Sequence, residues 1–120
     1  MIATVHPDEI AIEEPFLGKG NNQFVGPAFA VGQAQAAVLI AAVSHGVPVF
    51  RYSPTTVKVS VADHGAAGKE QVQTMIMVAL SLKAAPATYD ATDALAIALC
   101  HMRQREVQQL IDQQQINPER

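Results

Sequence analysis

Acidic side chains occur at two places in the sequence where they could bind a cation. Asp90 and Asp93 are three residues apart, so on a helix their carboxylates project from one face. Glu13 ends a short apolar run, and open α/β sheets hold their ligands at the carboxyl ends of strands. Carboxylate oxygens are the hard donors that Mg²⁺ prefers. The aspartate pair therefore suits a magnesium site, with Glu13 as a further candidate.

Each of these acids also has a purely structural interpretation. A Glu at the end of a strand can lie in solvent, and Glu14 is interpreted in this way. An Asp at the start of a helix can cap free N–H groups and complement the helix dipole. The residues alone leave both interpretations open for Glu13 and for the pair Asp90 and Asp93.

Two lysines and one aromatic residue are candidates for contact with a nucleic acid. Lys58 precedes and Lys69 follows a glycine-containing loop at residues 63–68, and ammonium groups on both sides of a loop can contact phosphates. The alternative is that both lysines are only solvated. Phe16 is either an exposed ring that stacks on a base or a core residue. The histidines lack the spacing of a zinc site.

A βαβ unit is predicted to position Glu13. The apolar run ending at Glu13 predicts a buried strand, and residues 27–43 predict a long helix that ends before Gly46. Residues 47–52 are rich in β-branched and aromatic side chains and predict a second strand. Strand, helix and strand in this order indicate a crossover connection.

Three further helices are predicted to carry the remaining candidates. Pro54 opens a short helix that carries Lys58, since proline is favoured at a first helical position. A second helix is predicted from Ala67 to about residues 84–86, and a third starts near Asp90. The Gln-rich residues 108–120 are interpreted as a tail that frays, after a partial domain at residues 1–107.

The helix at residues 27–43 is apolar nearly all round, so we expect it to be covered on more than one side, by the sheet and by a partner subunit. Gly32, Gln33 and Gln35 interrupt its apolar run, so we do not expect a membrane span. The chain has a single cysteine, Cys100, which suits a reducing cytoplasm. A net charge of −3 does not by itself suggest nucleic acid, although carboxylates that hold cations are compatible with it.

In combination, these residues resemble the RuvC family of Holliday-junction resolvases over most of the chain. Residues 11–16, Ala-Ile-Glu-Glu-Pro-Phe, resemble the family's strand that ends in a catalytic Glu and is followed by an aromatic implicated in opening the junction. Residues 31–34, Val-Gly-Gln-Ala, resemble its dimer-interface helix. Residues 57–75 resemble the stretch where two lysines approach DNA. Residues 90–96, Asp-Ala-Thr-Asp-Ala-Leu-Ala, resemble its closing helix with two metal-binding acids.

The resemblance implies an α/β fold, a ribonuclease-H-like mixed sheet flanked by helices, with the first strands lacking in this chain. It also implies a homodimeric endonuclease that cuts four-way junction DNA in recombination and repair, uses two Mg²⁺ ions and works with a branch-migration motor. The implied catalytic and metal-binding residues are Glu13, Asp90 and Asp93. The implied DNA-binding residues are Lys58, Lys69 and Phe16.

Three departures from the family pattern leave alternatives open. The family's opening strand carries an Asp-x-Gly motif, and nothing before Glu13 replaces its Asp. Gln35 stands where the family usually has Arg, and Asp63 stands at a customary glycine of the loop. One alternative is an inactive remnant that only dimerises or binds DNA. Another is a related ribonuclease-H-like nuclease with a different branched substrate.

Overall fold

Two parallel strands joined by one long helix form the first part of the molecule. The computed structural model describes the backbone of residues 1–14 and 25–116, and the side chains of residues 1–14 and 32–115. Phe16 lies outside the described residues. The elements in chain order are α1 (Ile2–Val5), β1 (Ile10–Glu13), α2 (Val25–Ser44), β2 (Val49–Tyr52), α3 (Pro54–Ala62), α4 (Lys69–Ala79) and α5 (Tyr89–Ile116).

The chain divides into two compact units, Met1–Pro54 and Thr55–Arg120, and each is described by itself. In the first unit β1 pairs with β2 in parallel, with Glu13 opposite Tyr52. The predicted βαβ crossover is therefore confirmed, with α2 as its helix. Gly46 follows α2 with a φ of 68°, a left-handed conformation that glycine adopts without steric cost. This residue ends the helix as predicted.

In the second unit small and branched apolar side chains form the core between three helices. Ile76 of α4 and Cys100 of α5 have no exposed surface, and α4 packs directly on α5. The other buried apolar residues of this unit are Val57, Val61, Ala62, Ala67, Val72 and Ala96. This packing fixes the three helices that carry Lys58, Lys69, Asp90 and Asp93.

The end of α4 differs from the prediction. The helix was expected to continue to about residues 84–86, but it ends at Ala79. Ser81 adopts a φ of 54°, its N–H bonds to the carbonyl of Val78 at 3.3 Å, and the N–H of Leu82 bonds to the carbonyl of Met77 at 2.9 Å. These two bonds form a Schellman motif, which satisfies the last carbonyls of α4 and terminates it.

The Gln-rich segment begins inside helix α5, and its fraying stays a prediction. Helix α5 continues through this segment to Ile116, and the side-chain amide of Gln108 donates to a carboxylate oxygen of Asp112 at 2.9 Å. Gln is a good helix former, and side chains four residues apart support one another on a helix surface. Among the described residues, no helix is long and apolar enough to cross a membrane.

Candidate functional site

Glu13 is the last residue of β1, and its side chain is half-buried. The backbone N–H of Glu14 continues the ladder by donating to the carbonyl of Tyr52 at 2.8 Å. The side-chain amide of Gln35, on α2, donates to the backbone carbonyl of Glu13. The strand end that carries Glu13 is thus tied both to β2 and to the crossover helix.

The start of α5 is capped by Thr88 and not by an aspartate. The backbone N–H of Ala91 donates to the Thr88 hydroxyl at 3.1 Å, which is the usual geometry of an N-cap threonine. Asp90 lies in the first turn and can complement the helix dipole. Asp93 lies one turn further along, beyond the free N–H groups, so capping does not account for its presence.

The carboxylates of Asp90 and Asp93 are both exposed, on a helix start that is firmly packed. Between them Thr92 is 1% exposed, and its hydroxyl donates to the carbonyl of Thr88 at 3.3 Å. The buried Thr92 side therefore packs the first turns of α5 against the rest of the unit, while both acids face solvent. Side chains three residues apart on a helix project from one face, and carboxylate oxygens are the ligand type that a hard divalent cation takes.

A complete metal site was predicted from Glu13, Asp90 and Asp93 together. Within residues 1–14 and 25–116, no group of three or more His, Cys, Asp or Glu side chains is arranged to hold a metal ion. Glu13 belongs to the first compact unit and the two aspartates belong to the second. The convergence of the three carboxylates stays a prediction.

The two candidate DNA-binding lysines lie on different helices of the second unit. Lys58 is half-buried in the middle of α3, and Lys69 is the exposed first residue of α4. The Nζ atom of Lys69 lies 5.4 Å from the centroid of the Tyr89 ring. Tyr89 directly precedes Asp90 and was not singled out from the sequence, since one tyrosine at a helix start carries no pattern of its own.

The loop between the lysines, residues 63–68, is held by contacts to both neighbouring helices. Asp63, at the family's customary glycine, adopts a φ of 67°, which Asp tolerates better than most residues. His64 Nε2 lies 3.0 Å from the side-chain amide nitrogen of Gln71 on α4. Ala67 is buried. Asp63 therefore adopts a left-handed conformation that glycine favours, and it adds an exposed carboxylate to the loop.

The family model described as "Crossover junction endodeoxyribonuclease RuvC" matches residues 1–101. The chain belongs to the RuvC family. It is 44% identical over 113 residues to a crossover junction endodeoxyribonuclease RuvC of Dehalococcoides mccartyi, covering 94% of this chain and 65% of the relative. It is 46% identical over 101 residues to the RuvC of Chloroflexus aggregans, covering 84% of this chain and 59% of the relative.

Solved RuvC structures are similar to the chain in fold as well as in sequence. A Thermus thermophilus RuvC structure matches with a TM-score of 0.71 and 42% identity, covering 84% of this chain and 58% of that one. The structure of T. thermophilus RuvC in complex with a Holliday junction substrate matches with a TM-score of 0.73 and 44% identity, covering 84% and 59%. The predicted ribonuclease-H-like α/β fold is confirmed by this likeness.

The RuvC relatives are longer than the part that this chain matches. The chain spans between 59% and 65% of the two curated relatives named above. The match includes both stretches in which the candidate acids lie, since the family model extends over Glu13, Asp90 and Asp93. The second half of α5, from residue 102 onward, lies beyond the family match.

Proposed function

We propose that this chain provides the metal- and DNA-binding part of a Holliday-junction-resolving endonuclease that acts in recombination and repair. The observation that carries the proposal is the match to the RuvC family over residues 1–101. The capping of α5 by Thr88 supports it further, because helix capping then does not account for Asp93. The substrate would be four-way junction DNA.

The proposed catalytic and metal-binding residues are Glu13, Asp90 and Asp93. The donor chemistry fits Mg²⁺, since carboxylates are the hard oxygen ligands that it prefers. Bound Mg²⁺ supplies charge stabilisation at the scissile phosphate and activates water for in-line attack. The chain's own contribution is to hold the carboxylates on rigid elements: the tied end of β1 for Glu13, and the capped start of α5 for the two aspartates.

The proposed DNA contacts are Lys58, Lys69 and Phe16. The lysines carry the positive charge that offsets phosphate repulsion near the acids, and Phe16 is proposed to stack on a base as the junction opens. A homodimer would place two sites on opposed strands of the junction, and a branch-migration motor would be its partner. A protein that works on DNA in this way is proposed to reside in the cytoplasm.

A second candidate function is junction binding without cleavage. Within the second unit the proposed metal-binding acids are Asp90 and Asp93, and two carboxylates are few against the dehydration cost of Mg²⁺. The lysines and the exposed face of α2 do not depend on that site. Binding or dimerisation can therefore persist where hydrolysis does not.

Cleavage assays on junction DNA test both proposals. The 120-residue chain and a version extended by the family's N-terminal strands with Asp-x-Gly would each be given a four-way junction and a linear duplex in Mg²⁺. We expect little or no cutting by the 120-residue chain and symmetric cutting of the junction by the extended protein. Asp93→Asn in the extended protein should abolish cutting and keep most of the binding, since it retains size but removes the ligand charge.

The possible results separate the proposals. Robust Mg²⁺-dependent cutting by the 120-residue chain would show that the described acids suffice. Cutting by the extended Asp93→Asn variant would remove the catalytic role of Asp93. If neither protein binds the junction in preference to the duplex, the assignment to junction DNA is wrong for this chain.

A further inference from the structure

The side chains of the first residues of α4 and α5 are in contact. Lys69 opens α4 and Tyr89 opens α5, and the Lys69 Nζ atom lies 5.4 Å from the centre of the Tyr89 ring. This distance is within the range of about 6 Å in which a cation is attracted to the face of an aromatic ring. The contact places a positive charge at the end of α5 that carries Asp90 and Asp93.

The backbone on both sides of this contact is well fixed. Thr88 caps α5, and Thr92 beneath it is buried. At the start of α4, the N–H of Val72 donates to the carbonyl of Gly68 at 3.1 Å, and the Val72 side chain is buried. The positions of the two Cα atoms are therefore set by packing. The conformation of the exposed Lys69 side chain is not, because a lysine has several freely rotating bonds.

The ring limits this freedom without using the ammonium's hydrogen bonds. An ammonium group has three N–H donors, and a carboxylate partner would occupy at least one of them. The face of an aromatic ring attracts the charge through its quadrupole and leaves donors available for phosphate oxygens. Tyr89 is 46% exposed, so the contact lies at the surface, where DNA can reach the ammonium.

We propose that Tyr89 is a positioning residue for DNA-backbone binding, whose ring holds the Lys69 ammonium at the N-terminal end of α5 for contact with a phosphate. The proposal rests on the proposed function, since it deepens the role of Lys69 in binding the junction. It assigns to Tyr89 a role that acts through Lys69 and not through direct contact with the DNA.

Four variants of the 120-residue chain test this role in junction binding: Tyr89→Phe, Tyr89→Leu, Lys69→Met and the double variant Lys69→Met/Tyr89→Leu. Phe keeps the ring face, while Leu keeps apolar bulk without it. We expect Tyr89→Leu to weaken binding of a four-way junction about threefold, in line with an exposed cation–π contact. Tyr89→Phe should bind like the unaltered chain, and Tyr89→Leu should have no further effect once Lys69 is Met.

A second measurement is independent of DNA. The ε-methylene protons of Lys69 should show an upfield ring-current shift in the NMR spectrum of the folded chain, retained in Tyr89→Phe and lost in Tyr89→Leu. If the unaltered chain shows this shift but neither it nor the extended protein binds the junction in preference to a duplex, the proposed function fails while the contact stands.

Three results would overturn the positioning role. One is a missing ring-current shift in the unaltered chain. Another is junction binding by Tyr89→Leu equal to that of the unaltered chain. The third is that Tyr89→Leu weakens junction binding by the same factor in the unaltered chain and in the Lys69→Met variant, since the ring would then contact the DNA itself. Circular dichroism confirms that each variant is folded.

Discussion

The side-chain amide of Gln35 donates a hydrogen bond to the backbone carbonyl of Glu13. This bond joins α2 to the end of β1, at the position where the family usually has an arginine. A neutral amide keeps a hydrogen-bond donor at this position but not the positive charge. The amide of Gln35 therefore supports the strand end that carries Glu13 without adding a positive charge beside it.

We expect Gln35→Ala to lower the free energy of unfolding by about 1 kcal/mol, because the Glu13 carbonyl loses its side-chain donor. Gln35→Glu should cost more, since it places an acceptor against an acceptor. Urea unfolding measures both changes. Gln33→Ala is the matched control, because Gln33 is exposed on the same helix and should change stability by less than about 0.5 kcal/mol. Equal effects at positions 33 and 35 would contradict the assigned bond.

Gly65→Ala should destabilise the loop between Lys58 and Lys69. A Cβ atom at Gly65 would lie 2.9 Å from the Thr55 Cγ2 atom, so one of the two must move, at a cost of about 1 kcal/mol. Thr55→Ser removes that methyl group and should rescue Gly65→Ala. Thermal unfolding measures the effect.

Gly32 supplies a control of opposite sign for the Gly65 variant. It lies inside α2 with nothing within 4 Å of an added Cβ, so Gly32→Ala should stabilise the chain by about 0.5–1 kcal/mol. If Gly65→Ala also proved stabilising, the loop could not pass as close to Thr55 as described.

Helix α2 exposes apolar side chains that a second copy of the chain is expected to cover. Ile40 is 68% and Val43 is 79% exposed, which agrees with the predicted apolar strip. Sedimentation equilibrium should detect a dimer, and Ile40→Gln/Val43→Gln should shift it towards monomer. Val78→Gln is the control, because Val78 on α4 is 69% exposed and should leave the association unchanged. If the unaltered chain proved monomeric, the inference that a second copy covers α2 would be wrong.

Stability should fall at alkaline pH because of Cys100. Burial raises the pKa of its thiol. The Ser60 hydrogen bond and the charge of Arg103 lower the pKa by less, so the net shift is upward. The unfolded chain ionises first, near pH ~8.5, so this contribution to stability is complete below that pH and is lost as the pH rises through the folded pKa. The free energy of unfolding should therefore fall more steeply above pH ~8.5 than in Cys100→Ala. If the free energy of unfolding fell equally with pH in both proteins, the Cys100 thiol would not contribute to the pH dependence of stability.

The sequence predicted those elements whose boundaries have strong local signals. Gly46 after α2, Pro54 at the start of α3 and Glu13 at the end of β1 all lie where expected, because each boundary depends on the chemistry of a few adjacent residues. The end of α4 was missed because Ser81 takes the left-handed position that glycine usually occupies in a Schellman motif. No glycine directly follows α4, so the usual sequence mark of a helix end was absent there.

The candidate site was only partly predictable for a related reason. Thr88 and Asp90 are both good N-cap residues, and only the hydrogen bond from Ala91 decides between them. The contact between Lys69 and Tyr89 joins residues twenty positions apart, through the packing of α4 on α5. Periodicity within either helix contains no information about such a contact.

Helix α5 has 28 residues, which at 1.5 Å per residue is a rod of roughly 40 Å. The candidate acids lie at one end, and the opposite end extends past the region that the RuvC family model matches. A fluorophore or an affinity tag attached near Gln113 would therefore stand roughly 30 Å along the helix from Asp93. The far end of α5 offers a labelling position from which junction binding can be followed without placing a bulky group beside the site.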